Sequence, residues 1–246
     1  MENHWSREDI ERRVFEIRQT IEQSALAAGR RPEEIHLMAV TKTVPAAVVN
    51  YAWEAGITLF GENRAQELTE KYEDYAFKAP NIHFIGTLQT NKVRQIIGKV
   101  SCIESVDSLH LAQEISKRAL TAGKRMDIFL EVNIGGEASK GGVLPGELER
   151  LLEQTALLPG VRVRGLMCIP PVCEKEEETR RYFDQMYKLF VDTKHKKIDN
   201  GNMEYLSMGM SADYGLAIRH GSNLVRVGTA LFGPRPPVRT AQNEGQ

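Results

Sequence analysis

Eight short apolar runs recur along this chain, each separated from the next by a stretch of helical character, and this alternation restricts the fold more than any other feature. The runs lie at 35–42, 58–60, 81–86, 100–104, 126–133, 161–169, 204–206 and 223–227. Several are continuously apolar rather than alternating, as expected of parallel strands covered on both faces. Helical segments are expected at 46–55, 91–97, 108–122, 145–158, 174–197 and 212–219, with a further polar one running to about Lys78. In the long charged segment, Tyr182, Met186, Leu189 and Phe190 supply an inner stripe and the charges a solvated face. An additional helix precedes the first run. Ser6 followed by Asp9 is an N-cap pattern, Ile10, Val14, Ile17, Ile21 and Ala25 form one apolar stripe, and Gly29 closes it.

Two architectures share this alternation, a closed (β/α)8 barrel and an open doubly wound sheet. No glycine fingerprint for a dinucleotide follows the first run, where an open nucleotide-binding sheet would carry it. No break in composition marks a second domain, and 246 residues is a typical barrel length. The expectation is a single (β/α)8 TIM barrel with an extra N-terminal helix over 1–233. The proline-rich polar tail over 234–246 is expected to be disordered.

Charge and composition exclude several functions. The net charge of −1 gives no global field for nucleic acid or an anionic membrane, and no apolar run approaches the ~20 residues of a membrane span. Met1 to Arg13 lacks the apolar core of a signal peptide. Cys102, Cys168 and Cys173 are odd in number and without framework spacing, so reduced thiols and a cytoplasmic location are expected. No paired His or Cys motif supports a metal site. No long exposed apolar stripe demands a partner subunit, so a monomer is expected.

In a barrel the C-terminal ends of all strands converge on one face. Polar residues and glycines collect at those ends here: Lys42, Asn63, the loop 86–92, Asn133, Met167, the loop 207–211 with Met210 and Ser211, and Arg226, Gly228 and Thr229. Lys42 ends the first run. A lone lysine usually snorkels to solvent, but an amine held in a pocket there has its pKa lowered toward nucleophilic competence. Ser211 and the backbone of its small-residue loop are placed to cradle an anion at the following helix, and Gly228–Thr229 offers the same chemistry from the next strand. A capping serine and a glycine turn are the other reading of the same residues. An amine at strand 1 and an anion cradle at strands 7 and 8 suit a ligand carrying both an aldehyde and a phosphate. Pyridoxal 5′-phosphate is such a ligand, with Lys42 as its Schiff-base partner. Arg226 then stands at the pyridine nitrogen; a guanidinium accepts no proton and would keep that nitrogen unprotonated, weakening the ring as an electron sink.

At these residues the sequence resembles the pyridoxal phosphate homeostasis protein family. The matching stretches are 40–43 (VTKT), 61–67 (GENRAQE), 83–92 (HFIGTLQTNK), 131–140 (EVNIGGEASK), 165–170 (GLMCIP), 206–211 (LSMGMS) and 225–233 (VRVGTALFG), in order along nearly the whole chain. Ala65 and Asn223 depart from the family pattern, where a valine and a threonine are expected. The resemblance implies a barrel of the alanine racemase N-terminal type (fold type III among pyridoxal phosphate proteins). It implies the cofactor on Lys42, its phosphate at Ser211, Gly228 and Thr229, its ring nitrogen at Arg226, and further contacts from Asn63 and the backbone around Met210. It also implies an intracellular carrier or regulator of the cofactor without substantial catalysis, with no catalytic residue, apo pyridoxal-phosphate enzymes being potential partners.

A racemase needs a second acid/base on the opposite face of the substrate. Related racemases take it from a partner's β-rich domain, and the short remainder after strand 8 is expected to hold none. The alternatives are a low-activity racemase or decarboxylase, a cofactor-free Schiff-base aldolase using Lys42, and a plain interaction module. The last leaves the strand-end lysine and the anion loops unexplained.

Overall fold

The computed structural model describes residues 5–196 and 201–234. The elements in order are α1 (Arg7–Ala27), β1 (His36–Val40), α2 (Ala46–Glu54), β2 (Leu59–Glu62), α3 (Ala65–Lys71), β3 (Ile82–Phe84), α4 (Val93–Ile96), β4 (Cys102–Val106) and α5 (Leu109–Thr121). They continue with β5 (Met126–Val132), α6 (Leu148–Ala156), β6 (Val161–Cys168), α7 (Glu176–Lys194), β7 (Gly201–Ser207), α8 (Tyr214–Arg219), β8 (Leu224–Val227) and α9 (Thr229–Phe232). The eight strands close into one parallel barrel in chain order, sealed where Met38 pairs with Arg226 and Ala39 with Val227. Most of the expected tail, from residue 235 onward, lies outside the described residues.

The extra helix forms as its sequence predicts. The Ser6 hydroxyl accepts the Asp9 amide, and Ile10, Val14, Ile17, Ile21 and Ala25 are buried. That face packs on α2, α8 and α9, covering the barrel beside the β8–β1 seam. Outside the barrel, a continuous apolar core joins strands to helices; α7 contributes Phe183, Met186 and Phe190, with Tyr182 and Leu189 only partly buried. The inner position Phe183 was not among the expected stripe.

Several element boundaries differ from the sequence expectation: β7 is longer, at Gly201–Ser207, β3 shorter, at Ile82–Phe84, and four others have a local cause. β1 ends at Val40, so Lys42 stands beyond the strand, in a turn where Thr43 takes a left-handed φ of 64°. β2 continues to Glu62, whose side chain is fully buried despite its charge and accepts from Thr41 and Tyr75. β4 covers 102–106 instead of 100–104: Val100 is buried ahead of the strand, whereas Glu104 and Ser105 belong to it despite their polarity. α3 stops at Lys71. Beyond it, Tyr75 and Phe77 turn inward to stack, with Phe77 3.9 Å from Phe60 and 4.8 Å from Tyr75 between ring centroids, and a continued helix cannot deliver both rings.

Inside the barrel, alternate residues of each strand point to the axis. Met38, Ile85, Cys102, Phe129, Met167 and Leu224 form an apolar cluster there. A second set, Glu104, Ser207 and Arg226, is equally buried and entirely polar.

Candidate functional site

The turn after β1 is clamped from α3. The Thr43 amide donates to Glu67 Oε1 at 2.5 Å, and Lys71 Nζ donates to the Thr41 carbonyl at 3.1 Å while pairing with Glu67. The Thr41 hydroxyl bonds Glu62 Oε1 at 2.6 Å. Lys42 therefore rises from a turn fixed on both sides, and the left-handed Thr43 is a local strain held by these bonds. The partly buried Lys42 lines one cleft together with Val40, Thr43, Gly228 and Thr229. This brings the ends of β1 and β8 to one place, as strand-end geometry requires.

Ser211 serves a different helix from the one expected. It lies three residues before α8, and its Oγ accepts the backbone amides of Gly228 at 3.1 Å and Ala230 at 3.2 Å, at the start of α9. The reason is local: Asp213 supplies the turn before α8, accepting the Met210 amide at 2.6 Å. That amide is committed within the protein, so Met210 brings no free backbone donor of its own. Gly209 makes the tight loop possible. Its φ is +93°, and a Cβ there would stand 2.5 Å from the Ala217 Cβ. With both lone pairs used on amides, the Ser211 hydroxyl proton is directed away from α9.

Arg226 is 3% exposed and held at both terminal nitrogens, by Ser207 Oγ at 2.6 Å and the Cys168 carbonyl at 2.8 Å. Ser207 Oγ donates in turn to Glu104 Oε2 at 2.6 Å, and His83 Nδ1 lies 2.6 Å from Glu104 Oε1. Nearby acids respond to burial. Glu131, at the end of β5, is pushed up to about 7, chiefly by burial, with the Asp107 charge adding and Arg226 opposing. Burial also raises Asp213, against its Met210 hydrogen bond and Arg226. The Cys168 thiol is pushed up to about 12 by burial, and Cys102 is raised well above its ordinary value for the same reason. Both are inert as nucleophiles near neutral pH. Among the described residues, no group of three His, Cys, Asp or Glu side chains is arranged to hold a metal.

Asn63 follows β2, and its Oδ1 is buried without a partner among the described residues. The backbone there is crowded: a Cβ on Gly86 would meet the Asn63 carbonyl at 2.1 Å, so only glycine lets the β3 loop pass. Asn133, by contrast, is spent on its own loop, bonding Glu137 through both ends of its amide. Sequence reasoning missed Glu62, whose Oε1 accepts from Thr41 and Tyr75 and whose carboxyl is raised by burial, and it missed Glu104, Ser207 and Glu131. The signal for three of them was a single acid within or just after an apolar run, which hydropathy alone does not distinguish from a strand end.

The chain matches the family model for the alanine racemase N-terminal domain over residues 17–236. It is 43% identical over 223 residues to a pyridoxal phosphate homeostasis protein of Aquifex aeolicus, covering 91% of this chain and 97% of that protein. A protein of the same name from Pseudomonas aeruginosa is 40% identical over 226 residues, 92% and 96% of the two chains. Among solved structures, PipY of Synechococcus elongatus, determined with PLP bound, superposes with a TM-score of 0.79 at 33% identity, over 91% of this chain and all of that one.

Proposed function

The chain belongs to the pyridoxal phosphate homeostasis family, on the alanine racemase N-terminal fold, and from that premise we propose that it binds pyridoxal 5′-phosphate and acts as its carrier or regulator without substantial turnover. The observation that carries this reading is the single cleft shared by Lys42 and the Gly228–Thr229 turn. The residues fit the cofactor. Lys42 and the Gly228–Thr229 turn line the same cleft, and Asn63 Oδ1, without a partner among the described residues, supplies a further acceptor.

Lys42 would hold the cofactor's aldehyde carbon. Ser211, Gly228 and Thr229 would hold its phosphate, with the hydroxyl proton of Ser211 and the start of α9 favouring an anion. Asn63 would accept from a polar group on the ring, and Arg226 would face the ring nitrogen. When bound, the cofactor supplies an electrophilic carbon and a ring that withdraws electrons from an attached amine. Arg226 opposes the second property. Its permanent charge disfavours a proton on the ring nitrogen, because two positive charges would then face each other. The protein would thus retain the cofactor's capacity for exchange with free amines and apo-enzymes while weakening its capacity to stabilise a carbanion.

Two experiments test this reading. Pyridoxal without its phosphate is expected to bind far more weakly than the phosphate ester, and equal affinities would refute the phosphate assignment. Incubation with L-alanine in deuterated water is expected to leave Cα protonated. Deuterium entering Cα at an enzyme-like rate, and lost with Lys42→Ala, would establish a racemase-type activity instead.

A further inference from the structure

Arg226 makes no direct bond to a carboxylate among the described residues. Glu131 and Asp213 both feel its charge, and neither is its hydrogen-bond partner. The guanidinium instead bonds a neutral hydroxyl, Ser207, and a carbonyl, Cys168. The charge that balances it lies one residue further on. Ser207 donates a hydrogen bond to Glu104 Oε2, and Glu104 Oε1 lies against His83 Nδ1.

The directions of these bonds are mutually consistent. Arg226 donates to Ser207, Ser207 donates to Glu104 Oε2, and Glu104 Oε1 lies 2.6 Å from His83 Nδ1. Ser207 and Glu104 are fully buried, Arg226 nearly so, and the three come from β8, β7 and β4. A chain of short bonds across a barrel interior fixes a guanidinium more tightly than a surface ion pair, since no water competes for its partners. Resting on the cofactor reading above, we propose that Ser207 and Glu104 are positioning residues for Arg226. They hold its guanidinium on the β6–β7 side of the barrel, and so fix how the cofactor ring is met.

Ser207→Ala removes the acceptor at one guanidinium nitrogen and a donor from Glu104. Ser207→Thr restores both with the same hydroxyl. Glu104→Gln keeps the shape and removes the counter-charge. The proteins are loaded with pyridoxal phosphate, and two quantities are read: the visible absorbance spectrum of the bound cofactor and its release rate on dilution into a trap. Ser207→Ala and Glu104→Gln are expected to shift the spectrum and to release the cofactor about tenfold faster, the size of a lost charge-assisted bond. Ser207→Thr is expected to return both to the starting values. Should Glu104→Gln fail to fold, the serine pair decides alone. A folded Ser207→Ala protein with unchanged spectrum and release rate would overturn the positioning role while leaving the cofactor reading intact. A starting protein that takes up no cofactor on Lys42 would overturn the cofactor reading, and this inference with it.

Discussion

Two sets of side chains fill the inside of this barrel. One is apolar: Met38, Ile85, Cys102, Phe129, Met167 and Leu224. The other is a buried chain of hydrogen bonds through Arg226, Ser207 and Glu104 to His83. The two sets share two strands, and alternate positions of one strand serve either: Cys102 and Glu104 on β4, Leu224 and Arg226 on β8. The first set is stabilised by dispersion and exclusion of water, and its members tolerate replacement by other apolar groups of similar volume. The second is stable only while every partner is present, since a charge left alone in this interior costs several kcal/mol. The difference teaches where the barrel trades robustness for a defined arrangement of polar groups. It does so across the interior, from Arg226 on β8 through Ser207 on β7 and Glu104 on β4 to His83 on β3.

The largest effect separates the two sets by what each supports. Phe129→Ala is expected to cost about 3–5 kcal/mol in urea denaturation, the usual cost of a large interior cavity, while the folded fraction still binds pyridoxal phosphate. A loss below about 1 kcal/mol would mean that the apolar set is not the structural half of the interior.

A smaller effect comes from acidity at the rim of the polar set. Glu131 has its folded pKa raised from 4.5 to about 7. Between those values the folded chain retains a proton that the unfolded chain has released, so stability falls as pH rises through that window. Glu131→Gln is expected to flatten that decline, by on the order of 1 kcal/mol given the partial exposure of the group. Denaturation midpoints on either side of the window measure it. A variant whose pH profile matches that of the starting protein would show that burial there imposes no such cost.

The next is local to α9. Ser211→Ala leaves the Gly228 and Ala230 amides without their acceptor, so a loss of about 1 kcal/mol in stability is expected together with weaker cofactor binding. Ser211→Thr should recover most of both, and failure to do so would separate the cap from the binding role. The smallest effect is at Lys42, where Lys42→Ala is expected to change stability by less than about 0.5 kcal/mol, because the bonds from Glu67 and Lys71 that clamp the turn remain in place.

The eight-strand barrel was legible because its strands are covered on both faces, which writes them as apolar runs, and because Ser6 and Gly29 punctuate the first helix. The strand-end residues were legible for a related reason. Lys42, Asn63, Gly228 and Thr229 stand out as polar or small where apolar runs stop, and topology alone brings such ends together. What was not legible follows from the same logic. Glu104 sits within a strand, where its polarity reads as the end of one, and that moved the expected β4 by two residues. Ser207 and Glu104 acquire meaning only through partners distant in sequence, 103 residues apart in the case of their mutual bond. The role of Ser211 at α9 instead of α8 depended on Asp213 satisfying the nearer turn, a competition between two acceptors that spacing does not resolve.

The most direct test of the central claim is to load the protein with pyridoxal phosphate, reduce it with borohydride, and map the modified peptide by mass spectrometry. A pyridoxyl group is expected on Lys42, in the turn clamped by Glu67 and Lys71 that shares a cleft with Gly228 and Thr229. Modification of Lys92 or Lys140 with Lys42 left free, or no modification at all, would contradict it.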